Sequence, residues 1–232
     1  MLKDFIRVNK YALDESKKRL KFFPLLGLAL FCYSLINLAA LLIIAKYFNN
    51  IRGLGFLTYL LKVAETAHFL GLMQNVIIYQ RLSLNDLLSM GPFFNNTINF
   101  IFVFYVINYL IGILSFNQIT PAFFGEILNI ALLAFISPGF DMIYIDGYEG
   151  YSIFTRLPEF FKENFINWIP AILIMLLYNY LGNISIFMSI MDIIVSLMLN
   201  FLLSILLIYK GNLYVALAHS SRRKREFEAK FN

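Results

Sequence analysis

The chain is short of charge. Only 14% of its 232 residues are Asp, Glu, Lys or Arg, against about a quarter in a soluble domain. With 60% hydrophobic residues and a mean hydropathy of +0.72, this excludes a mostly water-facing surface. Cysteine is nearly absent. The single Cys32 excludes an intrachain disulfide and the multi-cysteine zinc and thioredoxin patterns. It lies in an apolar run and reads as a small core or lipid-facing residue. Histidine is scarce too, with only His68 and His219. No G-x-x-x-x-G-K-[ST] phosphate loop, G-x-S-x-G elbow or H-E-x-x-H helix occurs. The expectation is a protein that is not an enzyme and holds no cofactor or metal. A cleavable signal peptide is not expected either. The first apolar run opens only at Phe22, is too long for a signal core, and ends without an A-x-A-like site.

What the chain has in abundance is aromatic, with 25 Phe and 14 Tyr, suited to lipid-facing packing and to membrane interfaces. Its charge is uneven. Residues 1–21 hold seven Lys/Arg and three acids, residues 210–232 hold six and two, and the stretch between is net acidic. Two basic ends around an apolar middle point to an anionic membrane face. Nucleic acid is excluded as a partner, since a middle this apolar offers no basic groove.

The pattern divides the chain into three parts: residues 1–21, a transmembrane bundle over 22–210, and a basic cytoplasmic tail over 211–232. In the first part Leu2, Phe5, Ile6, Leu13 and Leu20 share one side of a helix, with Lys3, Arg7, Lys18 and Lys21 turned away. That is the pattern of a helix lying among headgroups; the alternative is a solvated basic tail. Headgroup contact is expected from Lys17, Lys18 and Arg19, and from Arg222, Arg223, Lys224 and Arg225 in the tail. The fold expected is all-α, a polytopic transmembrane helical bundle with amphipathic interfacial helices at both termini. Six spans are predicted, over residues 22–45, 54–80, 100–116, 122–145, 165–181 and 184–209, each near the ~20 residues a bilayer requires. The second is the most polar and has a re-entrant alternative near Lys62. Placing both termini in the cytoplasm puts 16 Lys/Arg inside and two outside, as the positive-inside rule favours. Trp168 then falls at the inner interface.

Few residues within the spans carry chemistry. In the sixth, Ser185, Ser189, Asp192, Ser196, Asn200 and Ser204 recur at steps of three or four and form one helical stripe. It is either a small-residue packing seam or a wetted polar pathway. In the second span, Lys62, Glu65 and His68 occupy neighbouring faces. Lys62 and Asp192 lie at matching depth, so an ion pair between them is expected, with Glu65 as a nearby competitor. Glu65 and His68 make a single E-x-x-H step, whereas a di-metal bundle site needs two such steps and further glutamates. The fourth span breaks at Pro138-Gly139 ahead of Asp141. Residues 140–145 are either a re-aimed segment or a plain helix end with Asp141 at the interface. The loop over 146–165, with Glu149, Arg156, Glu159, Lys162 and Glu163, is a candidate docking surface.

The basic amphipathic start, "RGLGFL" opening the second span, "SLNDLL" after it and "FFKEN" ahead of the fifth together resemble small six-helix bacterial membrane proteins. These are akin to the membrane domain carried by some glycerophosphodiester phosphodiesterases. The resemblance implies a fold and a membrane location. It implies no catalytic residue, because the phosphodiesterase site belongs to a separate domain that this chain lacks.

The function expected is the permease-like membrane subunit of a transporter in the cell membrane. It would be partnered by a cytoplasmic ATPase or another membrane subunit, or by a second copy of itself. The alternatives are a structural or regulatory scaffold for envelope assembly and an intramembrane lipid-modifying enzyme.

Overall fold

In the computed structural model, which describes residues 2–47, 54–89, 91–116, 122–184 and 190–220, the protein is an all-α bundle with no strand among the described residues. The helices are α1 (Leu2–Arg19), α2 (Phe23–Tyr47), α3 (Leu54–Ile77), α4 (Phe94–Phe116), α5 (Ala122–Ile136), α6 (Gly139–Tyr144), α7 (Ser152–Ile184) and α8 (Ile190–Ala218). Among the described residues, five stretches are long and apolar enough to cross a membrane: 2–40, 94–113, 125–144, 152–180 and 191–218. The second predicted span, α3, has the length but is diluted by Lys62, Glu65 and His68 and is not among the five.

Several boundaries differ from those expected. α4 begins at Phe94 rather than at residue 100. The fourth span is two helices, because a turn at Ser137-Pro138 closes α5 and α6 starts from Gly139. Within the 146–165 loop, residues 152–165, which mix apolar and charged residues at roughly helical spacing, are helix and run on without a break into the fifth span as α7. α8 runs on to Ala218; Leu213, Tyr214 and Leu217 keep a helical apolar period beyond Lys210 and are buried.

α8 is the spine. It lies antiparallel to α2, with Ser204 beside Phe23 and Phe201 against Gly27, where a Cβ would come within 2.0 Å of the ring. Further along, Asn212 donates to the Ser16 hydroxyl at 3.1 Å. Both described ends of the chain therefore sit at one end of the bundle. α1 does not continue the line of α2. After a 3-10 turn at Leu20–Phe22, Ser16 meets Asn212 and Asn9 meets Tyr209. Asp4 then accepts from Asn167 of α7 at 2.9 Å, so α1 crosses α8 to reach α7.

The hydrophobic core is concentrated at this terminal end. Ala12, Leu72, Val76, Ile143, Ile153, Leu157, Ile208 and Leu213 are all buried there. Towards the other end the helices present apolar side chains outward, among them Leu42, Leu57, Tyr109, Leu110, Ile130 and Met198. Among the described residues, the longer irregular connections sit at the terminal end, where α3 passes through a 3-10 turn at Leu84–Leu88 towards α4 and residues 145–151 join α6 to α7. Hydrocarbon offers no partner for free N–H and C=O groups, so such backbone belongs outside it.

Candidate functional site

Two polar clusters stand out from the apolar packing. The first joins α2, α3 and α7. Tyr33 and Asn37, four apart on α2, meet Glu65 and His68, three apart on α3, because these spacings put each pair on one helical face. Asn37 Nδ2 lies 2.9 Å from both carboxylate oxygens of Glu65, which is buried. His68 Nε2 faces the Asp86 carbonyl at 3.4 Å. A carbonyl can only accept, so Nε2 carries the proton, and Nδ1 accepts from the Tyr33 hydroxyl at 2.6 Å. The Asp86 carbonyl comes within reach because the stretch after α3 folds back along it. A Cβ on Gly91 would stand 3.2 Å from the Ala67 carbonyl oxygen, so any larger residue there would push the two backbones apart by a few tenths of an ångström. Ser83 and Asp86 brace the same stretch through a capping box.

Lys62 belongs to this face yet is exposed. Its ammonium lies 6.0 Å from the centre of the Tyr178 ring on α7. The expected Lys62–Asp192 bridge is not among the ion pairs of the described residues. An aromatic face takes the position a carboxylate was expected to fill.

Of the α8 stripe, Asn200 and Ser196 bond within their own helix and Ser204 reaches α2. Asn200 Nδ2 donates to the Ser196 carbonyl of its own helix at 2.9 Å. The Ser204 hydroxyl lies 3.0 Å from the Phe23 carbonyl across the α2 contact. Asp192 is half-buried near the start of α8. Ser185 and Ser189 lie outside the described residues.

The second cluster has an ion pair that the sequence did not suggest. Lys210 of α8 donates to Asp141 of α6, and their side chains are only 4% and 2% exposed. The Tyr144 hydroxyl donates to the other Asp141 oxygen at 2.9 Å. The Lys210 ammonium stands 5.5 Å from the Trp168 ring centre, a cation–π distance. Trp168 packs edge-on against Phe160 and Tyr214, and its indole N–H donates to the Ser137 hydroxyl at 2.8 Å. Trp168 was expected at an interface, but it is wholly buried. Tyr214 donates in turn to Asp146 at 2.5 Å. The turn at 137–138 lets Asp141 point back into the bundle. Of the two alternatives for residues 140–145, a re-aimed segment or a plain helix end with Asp141 at the interface, the buried Asp141 on a separate α6 fits the first; Lys210 counts with the basic end in the sequence. The clue was the apolar period running on past Lys210.

The remaining expected site residues are spread over the terminal end. Arg156 and Glu159 pair with each other at 2.9 Å. Lys162 and Glu163 are exposed further along α7, and Glu149 lies in the loop before it. Lys17 pairs with Asp14 and Lys18 with Glu15, and both lysines face outward. Arg19 departs from its expected headgroup contact. It is buried, paired with Glu15 at 3.0 Å, and reaches the Ile77 carbonyl at 3.3 Å. Arg222, Arg223, Lys224 and Arg225 lie outside the described residues. No family model, curated protein or solved structure matches the chain.

Proposed function

We propose that this integral membrane protein is the permease-like subunit of a transporter, without catalytic activity of its own and driven through a cytoplasmic partner. The observation that supports this is Lys62. It is an exposed ammonium about 12 Å inside α3, at ~1.5 Å per residue, among the outward apolar side chains Phe56 and Leu57. Facing lipid there would cost about 2.5–3.5 kcal/mol on insertion scales. A wetted cleft between α3 and α7 removes that cost and places Lys62, Tyr178 and the Glu65–Asn37 pair along a path. The exposed charged ridge of Arg156, Glu159, Lys162 and Glu163 suits an energy-supplying partner such as an ATPase.

The test uses single cysteines in a Cys32→Ser background. A membrane-impermeant thiol reagent is expected to modify Lys62→Cys and to spare Phe56→Cys and Leu57→Cys. If all three behave alike, the path is rejected. Pull-down through a C-terminal tag separates the rival reading, which the densely paired terminal end favours: a co-purifying ATPase supports transport, and an envelope assembly factor supports a scaffold.

A further inference from the structure

α1 has three faces, not two. At about 100° per residue, the buried set Asp4, Val8, Ala12, Ser16 and Arg19 occupies one arc, turned to α8 and α7. The next arc holds Leu2, Ile6 and Leu13, which are 73%, 57% and 51% exposed. The third holds Lys3, Lys10 and Lys17, all exposed. A helix that only had to dock on a bundle would bury its largest apolar residues. Here the buried arc is small and polar, held by Asp4–Asn167 and Ser16–Asn212, while the bulky apolar arc is left uncovered beside a row of lysines.

We propose that this uncovered surface is a binding site for an anionic lipid leaflet, with Leu2, Ile6 and Leu13 set among acyl chains and Lys3, Lys10 and Lys17 among acidic headgroups. α1 crosses the terminal end from α8 to α7, as a helix in the leaflet plane would, and its anchored arc leaves the apolar arc for lipid, the lysine row beside it for headgroups, and Asp14 further round for water. Apolar area and opposite charge act together in such helices, and each lysine near an anionic surface contributes about a fivefold gain in binding. This inference stands apart from the proposed path, since a scaffold would bind lipid in the same way.

The test uses the full-length protein, Cys32→Ser, with an environment-sensitive fluorophore at Ile6→Cys or, as control, at Asp14→Cys. Nanodiscs are made of phosphatidylcholine alone or mixed with phosphatidylglycerol. With phosphatidylglycerol, the probe at position 6 is expected to shift to the blue and to be quenched by lipid-borne nitroxide but not by aqueous iodide, and the probe at 14 to show the reverse. Lys3→Glu, Lys10→Glu and Lys17→Glu together should abolish the phosphatidylglycerol-dependent shift, and the corresponding Gln triple should reduce it. Size-exclusion elution keeps misfolded variants out of the comparison. Iodide quenching at position 6 in both lipids overturns the proposal. So does equal insertion in both lipids, which would make the surface apolar only, or shielding seen in native membranes but not in nanodiscs, which would mean a protein partner.

Discussion

The terminal end of the bundle and the opposite end are built from the same helices but on different rules. At the terminal end, polar side chains are buried and paired: Lys210 with Asp141, Asp4 with Asn167, Ser16 with Asn212. At the opposite end, apolar side chains point outward along every long helix. The difference follows from the solvent each end meets. Burying apolar side chains against one another is strongly favoured where water is the alternative. Where lipid is the alternative, tails are as apolar as leucine and little is gained by covering it. A membrane protein can leave one end open and must close the other.

The largest effect expected from breaking this contrast is at the ion pair. Lys210→Met alone should cost about 3–5 kcal/mol by leaving a buried carboxylate unpaired, whereas Asp141→Leu with Lys210→Met should recover most of it. Thermal unfolding in detergent, followed by size exclusion, would show both; equal losses for the single and double variants would mean the pair is not coupled. Next is Leu110→Arg, at a site 53% exposed. In lipid it should cost about 2.5–3.5 kcal/mol of insertion, seen as lost accumulation in membranes, and normal accumulation would place that face in water. Asn167→Ala removes one hydrogen bond to the buried Asp4 carboxylate and should cost about 1.5–3 kcal/mol, which faster hydrogen exchange in α1 would report. Gly27→Ala forces a methyl against the Phe201 ring and should cost about 1–3 kcal/mol, measurable as a lower unfolding temperature. Leu110→Ala should change stability by less than about 0.5 kcal/mol, and a larger loss would reveal a protein contact on that face.

Much of the architecture was legible from composition and period. The all-α class followed from long apolar runs, and the Pro138 break was visible as a local rule. The amphipathic start was correctly a helix, but the moment only marked where its apolar side lay. It carried no sign that the small polar side would be the docked one. Arg19 looked like its lysine neighbours because charge alone does not distinguish a headgroup contact from a buried pair. Lys62 and Asp192 sat at matching depth, yet depth along a helix axis says nothing about rotation around it, and that rotation turned Lys62 to Tyr178.

Sequence by itself determined that the chain is helical, that its middle is too apolar for water, and that its basic residues gather at the two ends. These are properties of single helices against a solvent, set by length and residue type. Only tertiary structure decided that Asp141 meets Lys210, that Asn37 holds Glu65, and that Ser204 closes on α2. Each depends on the relative rotation and crossing of two helices, and many side chains acting together set those angles.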